Sequence, residues 1–331
     1  MTLSIVILAA GLSTRFKSKT TKVLHPLCEK PMLQYTMELA QRLTADPPVI
    51  VVGPETEAEI KAWAGSKARY VIQEERLGTG HAVLQAQSLL EETPGQVLVL
   101  YGDMPLLRSE TLERLIEHHA DKDHPTETGP VITLLTVERD NPRGFGRIVR
   151  APQSGQIKAI VEEVEATPEI AAIRELNTGI YTFDADFLWT HLPNLEPSPR
   201  KGEYYLTDLI EMAVEEGKRV AGLMLDDPSE GLGINTRVDL SLVEAKLRQR
   251  INTHWMRRGV TLVDPATAYI GPDVTLGRDT VVHPNTHLRG QTTIGEDCQI
   301  GPNTIIEHCD IGHRCRVLAS VLENAIMEDE S

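Results

Sequence analysis

Residues 270–306 read IGPDVTLGRDTVVHPNTHLRGQTTIGEDCQIGPNTII, and an aliphatic side chain recurs there every six positions, at Ile270, Leu276, Val282, Leu288, Ile294, Ile300 and Ile306. Gly follows at 271, 277, 295 and 301. A helix repeats every 3.6 residues and a strand every two, so neither produces this spacing. A parallel β-helix does, because each six-residue unit forms one flat side and the recurring aliphatic stacks inward on the coil below. The register then shortens, with Ile311-Gly312 opening the next unit five residues after Ile306. About three coils are expected. No cap follows before the terminal MEDES, so the exposed coil edge implies a shortened chain or a neighbouring subunit.

Toward the N-terminus, Val238 to about Arg257 carries a charged helical pattern that stops before Gly259, and reads as a connector over 238–258. The region before it differs. Leu3–Ala10, Val49–Val52, Tyr70–Ile72 and Val97–Tyr101 are short apolar runs expected as buried strands. Met32–Leu43, Glu55–Ala64 and Ala82–Leu90 between them have helical spacing, giving βαβαβαβ and a mainly parallel, Rossmann-like sheet. Past Pro142 an inserted sheet is expected from Gly146–Arg150 and Ile157–Val161, flanking the turn PQSG, with Asn177–Phe183 as a further strand. Tyr204–Glu216 reads as helix and Val220–Leu225 as strand. The expected organisation is an α/β domain over 1–237, the connector, and the partial β-helix over 259–331.

Composition narrows the function. The 331 residues are 41% hydrophobic and only 4% aromatic, and no apolar run reaches the roughly 18–20 residues of a membrane span. Four cysteines, at 28, 298, 309 and 315, do not form a secreted disulfide framework, and a cytoplasmic setting is expected. A net charge of −15 argues against nucleic acid as a partner, since such binding neutralises phosphates with Lys and Arg. Residues 1–28 contain no Asp or Glu, yet carry Arg15, Lys17, Lys19 and Lys22. Such a segment would focus positive potential on one loop, the alternative reading being a solvated basic loop.

The same segment contains LAAGLSTRFKSKTTK, residues 8–22, directly after the first strand. Its small residues let a flat base or a phosphate approach the backbone, and Arg15 and Lys22 supply charge. Neither GxGxxG nor GxxxxGK[ST] is present, so the turn is not a P-loop, and an oxidoreductase reading of the βαβ start is left as the weakest alternative. Asp103 lies just past the run VLVLY, at the carboxyl end of the sheet where ligands sit in such folds. Cys298, His308, Cys309, His313 and Cys315 lack the paired spacing of a zinc site.

LAAGLSTR, KVLHPLCEKPM (22–32), QEERLGTGHA (73–82), LYGDMPLL (100–107), GFGRI (144–148), IVEE (160–163), LNTGIY (176–181), GEYYLTD (202–208) and GINTR (233–237) occur in that order. Together with the hexapeptide array, this succession resembles the sugar-nucleotide pyrophosphorylases. More narrowly, it resembles the bifunctional bacterial N-acetylglucosamine-1-phosphate uridyltransferase/glucosamine-1-phosphate acetyltransferase family. The resemblance implies a nucleotidyltransferase domain followed by a left-handed β-helix. It also implies Mg²⁺-dependent uridylyl transfer from UTP to N-acetyl-α-D-glucosamine 1-phosphate, in cell-envelope precursor synthesis. By the same resemblance, the Ala10 and Gly11 backbone, Gln73, Gly78 and Thr79 contact uracil and ribose, Leu8, Ala9 and Gly102 are further substrate-binding residues, and Lys22 and Arg15 face the phosphates as the catalytic groups. Tyr101, Gly146, Glu162 and Asn177 hold the amino sugar, and Asp103 and Asn235 bind Mg²⁺. A homotrimer through the β-helix is implied, weakened in a shortened chain, and acetyl transfer is expected to be absent because its residues lie in later coils of the family.

The chemistry is consistent with those roles. A sugar 1-phosphate is already an anionic nucleophile, so the obstacle is repulsion between phosphates, and alignment with charge neutralisation suffices. One carboxylate and one amide oxygen are adequate hard ligands for Mg²⁺ beside substrate phosphates. Nothing in the reaction calls for His25 or His81 as acid or base, and both read as structural. Asn235 has a competing reading as the cap of the connector helix, and Glu162, near Glu163 and Glu165, as part of a solvated face. Two positions depart from the family pattern: Ser13 where Gly is usual and Thr21 where Pro is usual. Readings left open are a different sugar 1-phosphate, dTTP as the donor, and a non-catalytic assembly module.

Overall fold

The computed structural model describes residues 2–12, 14–120, 129–142 and 144–331; Ser13 lies outside the described residues. The chain divides into two compact units, Met1–Leu24 with Met32–Asn235, and His25–Pro31 with Thr236–Ser331.

The first unit is built on a sheet of nine strands among the described residues: β1 Leu3–Leu8, β2 Val49–Val52, β3 Arg69–Ile72, β4 Gln96–Tyr101, β5 Ile132–Glu138, β6 Arg147–Arg150, β7 Ile157–Val161, β8 Glu175–Asp184 and β9 Val220–Met224. The order is β9-β5-β8-β4-β1-β2-β3, with the β6–β7 hairpin joined through β8. Strands β4, β1, β2 and β3 run parallel, β8 is antiparallel to both β4 and β5, and β9 returns parallel to β5. The continuous apolar runs arise because both faces are covered. Along β1 and just beyond it, Val6, Leu8 and Ala10 enter one core while Ile5, Ile7 and Ala9 enter the other.

Helix boundaries differ from the periodicity at three informative places. The expected helix Ala82–Leu90 is two, Thr79–Leu84 and Gln87–Leu90, and it starts earlier because Gly78 at φ +103° turns the chain into it. The stretch expected as helix from Tyr204 is helical only over Asp208–Glu215. Tyr204 instead uses its backbone elsewhere, donating to Leu77 O at 2.6 Å and accepting from Gly80 N–H at 2.8 Å. The connector helix spans Arg237–Arg257 and is capped by Thr236, whose hydroxyl and Asp239 exchange hydrogen bonds in a capping box. The cap is therefore Thr236, not Asn235.

In the second unit the hexads form three parallel four-stranded sheets among the described residues. The inward row runs Leu262, Ile270, Leu276, Val282, Leu288, Ile294, Ile300, Ile306, Ile311 and Val317, all buried. Each sheet has one strand more than the three coils expected. Leu262 precedes the regular spacing and pairs with Val282, while the last coil places Leu322 and Met327 only five residues apart, in register with Ile306 and Ile311. Cys298, Cys309 and Cys315 point into this core, their thiols donating to the carbonyls of Gly312, Glu307 and Glu328 at 3.0–3.2 Å. The hairpin Pro26–Pro31 belongs to this unit. Its two-residue turn places Cys28 and Glu29 at φ 43° and 75°, held by the Glu29 carboxylate accepting Gly290 N–H at 2.9 Å and by Lys30–Asp273 at 2.8 Å.

Candidate active site

The residues singled out in the sequence lie beyond the carboxyl ends of β1, β3 and β4, with Glu162 just past β7 and Asn177 on β8, all within the first unit. The LAAG turn is stitched to its neighbours by backbone bonds. Ala9 N–H reaches Val51 O at 2.9 Å, and Gly102 N–H reaches Leu8 O at 3.0 Å. Arg76, which no sequence signal marked, donates from Nε to Ala10 O at 2.9 Å and pairs with Glu55. Its role was hidden because only the folded chain brings a residue 66 positions away against that carbonyl.

Gln73 is buried at the end of β3. Its amide nitrogen lies 3.0 Å from Gly78 O and 3.2 Å from His81 Nδ1. Gly78 has no room for a side chain: a Cβ there would sit 2.6 Å from Tyr204 O. The Thr79 hydroxyl accepts Leu206 N–H at 3.1 Å. The GTG turn is thus braced by the non-helical YYL segment, which explains why that segment declines to be helix.

A second group lies around Asn177. Its Nδ2 donates to the Tyr181 hydroxyl at 2.6 Å, its Oδ1 accepts Gly179 N–H at 2.9 Å, and its backbone N–H reaches Gly146 O at 2.9 Å. A Cβ on Gly146 would come within 3.3 Å of Glu162 Oε1, so Gly146, Glu162 and Asn177 share one place. Tyr101 packs against Gly179. Burial pushes the Tyr101 phenol above its usual range, with Asp103 and Glu162 acting in the same direction. Burial likewise raises the Glu162 carboxyl, opposed by a hydrogen bond from Thr207 at 3.4 Å and by nearby Lys201 and Arg147. Neighbouring Glu163 and Glu165 are not merely solvated: Glu163 accepts Gly144 N–H at 2.9 Å and Glu165 accepts the Ser198 hydroxyl at 2.9 Å. Thr207 was missed by the sequence reading, although its motif was recognised.

Between these groups stand two cations and two oxygen donors. Lys22 Nζ is 2.6 Å from Asp103 Oδ2, and Arg15 Nη2 donates to Asn235 Oδ1 at 3.1 Å. Ile234 N–H reaches Asp103 O at 3.0 Å, which brings the GIN segment against the GD turn. One carboxylate and one amide carbonyl are hard oxygen ligands that suit a small divalent cation sharing substrate phosphates, so the donor set fits such an ion. At the departure from the family pattern, the Thr21 hydroxyl donates to Glu59 at 2.5 Å, anchoring the loop that presents Lys22.

The family profile described as nucleotidyl transferase matches residues 4–256. A bifunctional protein GlmU from Exiguobacterium sibiricum is 44% identical over 320 residues, covering 97% of this chain and 70% of the relative. One from Shouchella clausii is 42% identical over 326 residues, again covering 70% of the relative's length. The solved structure of a candidate glucose-1-phosphate thymidylyltransferase from Bacillus anthracis aligns with a TM-score of 0.56 at 20% identity, over 74% of this chain and 95% of that one, and shares the fold. With the profile matching most of the chain and these relatives more than 40% identical over 70% of their length, the chain belongs to the nucleotidyl transferase family and, within it, groups with the bifunctional GlmU proteins.

Proposed function

We propose that the site joins UTP to N-acetyl-α-D-glucosamine 1-phosphate. A phosphate oxygen of the sugar attacks the α-phosphorus of UTP, a P–O bond forms, and the bond to the β-phosphate breaks to release pyrophosphate. UDP-N-acetylglucosamine is the second product. No proton need be abstracted, because the nucleophile is already ionised. The observation that carries the reading is the pairing of Lys22 with Asp103 and of Arg15 with Asn235. The same four groups are those that two converging phosphates and a divalent cation would require.

Family members generally depend on a divalent metal, and Mg²⁺ is the ion we assign to Asp103 and Asn235. When bound it would neutralise phosphate charge. The remaining work belongs to the chain. Lys22 and Arg15 turn to the phosphates and offset their repulsion. Leu8–Gly11, Gln73, Gly78 and Thr79 hold the nucleoside, while Tyr101, Gly102, Gly146, Glu162 and Asn177 hold the amino sugar. Glu162, a largely desolvated carboxylate, accepts hydrogen bonds from sugar hydroxyls more strongly than it would in water.

Pyrophosphate release measured with a panel of sugar 1-phosphates and triphosphates tests the assignment. N-acetylglucosamine 1-phosphate with UTP and Mg²⁺ is expected to turn over fastest. Equal turnover with glucose 1-phosphate or dTTP, or undiminished turnover in excess chelator, defeats it. Assembly as a trimer through the β-helix is proposed on resemblance alone, and sedimentation is its measurement.

A further inference from the structure

We propose that His81 determines which pyrimidine base the site accepts, by fixing the orientation of the Gln73 amide. The inference rests on the reading above that Gln73 faces the base. Gln73 is 4% exposed, and its Nε2 is 3.0 Å from Gly78 O and 3.2 Å from His81 Nδ1. A backbone carbonyl can only accept, so the end of the amide facing Gly78 is the NH₂ group. Its second hydrogen is directed at His81, whose Nδ1 must then be the acceptor. The His81 proton therefore resides on Nε2.

Gln85 competes for the same ring. Its Nε2 lies 3.2 Å from His81 Nε2 and 3.0 Å from His81 O. A neutral imidazole has a single acceptor nitrogen, so both glutamines cannot donate to it. Gln73 is buried and would be left with an unsatisfied donor, whereas half-buried Gln85 is able to turn its amide to water. The lone pair belongs to Gln73. With both donors engaged, the open function of this amide is the carbonyl oxygen Oε1. Uracil offers an N3–H donor to such an acceptor. Cytosine offers a lone pair at the same position, and two acceptors repel. His81, dispensable as an acid or base, becomes a positioning residue for UTP over CTP.

The test compares kcat/KM for UTP and CTP in the full chain and in His81→Phe, His81→Asn and Gln73→Ala. His81→Phe removes one of two bonds that orient Gln73 and should lower the UTP:CTP ratio about fivefold, with kcat on UTP within about twofold. His81→Asn places Oδ1 close to the Nδ1 position and should retain the ratio. Full discrimination in the Phe variant, or equal loss in Phe and Asn, overturns the proposal. An unchanged ratio in Gln73→Ala would instead overturn the assignment of Gln73 to the base, and this inference with it. Independently of any variant, ¹⁵N NMR of the unmodified protein should find the imidazole proton on Nε2; a proton on Nδ1 refutes the argument.

Discussion

Gly146→Ala should separate the sugar side we propose for the site from its nucleotide side. The added Cβ would stand 2.8 Å from Ile160 Cγ2 and 3.3 Å from Glu162 Oε1. Carbon atoms in contact prefer roughly 3.5–4.0 Å, so something must move by most of an ångström. Ile160 is 6% exposed and packed into the core beneath the sheet, so it yields least. The Gly144–Gly146 turn yields instead, and two things shift with it. One is the 2.9 Å bond from Asn177 N–H to Gly146 O. The other is the Glu162 carboxylate. A lost hydrogen bond to a charged group is worth about 1.5–3 kcal/mol, which is roughly a ten- to hundredfold effect on sugar binding. The overpacking itself should cost about 1–3 kcal/mol of stability.

Steady-state kinetics with each substrate varied in turn is the assay, run beside thermal unfolding. KM for N-acetylglucosamine 1-phosphate should rise at least about tenfold while KM for UTP stays within about twofold. A rise shared equally by both substrates would refute the division of the site into two groups. An unchanged KM for the sugar accompanied by a lower melting temperature would show that Gly146 serves packing alone.

Asp103→Asn keeps the side chain's shape and removes its charge. Turnover should fall at least about a hundredfold and its Mg²⁺ optimum should move to higher concentration, with the circular dichroism spectrum retained; unaltered metal dependence would exclude Asp103 as a ligand. Ile300, fully buried between Val282 and Val317, should cost about 2–5 kcal/mol when cut to Ala, read by calorimetry or denaturant titration. Acidification should act against the fold at His119, which is buried, bonded to the Thr133 hydroxyl at 2.9 Å, and held at a pKa of about 4 by desolvation with His118 assisting. Its folded pKa lies below the unfolded value of about 6.5, so the unfolded chain binds the extra proton and stability is lost between about pH 6.5 and 4. Asp208, raised to about 6 by burial and by Glu211, Glu162 and Glu165, has the opposite sign and gains as the pH falls through that window. The two shifts are similar in size and nearly cancel near pH 5, so His119→Gln should leave stability rising as the pH falls there, as measured by unfolding at a series of pH values; a variant that keeps the parent's slope would discount His119.

The parts legible in the sequence are those where one physical constraint repeats. Strands buried on both faces must be apolar at successive positions, so β1, β2 and β4 announced themselves. Stacked coils must place an aliphatic at each turn, so the hexads did too. The helix pattern at Tyr204 was just as regular, yet the structure overrides it, since the carbonyl and N–H of Tyr204 are committed to Gly80 and Leu77. Periodicity records which side chains are buried and is blind to such backbone bonds. The last coil escaped for a related reason: shortening its units to five residues keeps Leu322 and Met327 over Ile306 and Ile311 while destroying the period that revealed the others. At the site, motifs named Asp103, Glu162 and Asn177, but Arg76, Thr207 and the orienting contact of His81 depend on pairings that no spacing encodes.

The net charge of −15 then ceases to conflict with two polyanionic substrates. At physiological ionic strength the Debye length is about 8 Å, so acids scattered over distant surface contribute little at the site. What counts is charge within a few ångströms, and there Lys22 and Arg15 come from a segment of 28 residues without a single carboxylate. The acid nearest Lys22 is Asp103, the one we assign to the metal. Because Lys22 and Asp103 are mostly shielded from solvent, at 11% and 20% side-chain exposure, their 2.6 Å contact is screened less than a surface pair. In the reaction we propose, phosphates entering the site would exchange one partner of Lys22 for another without first desolvating a bare ammonium, and the carboxylate released would be the oxygen a divalent ion needs. The pairing of each cation with a donor oxygen is therefore a preorganised ground state, in which the cost of gathering like charges has already been met by folding.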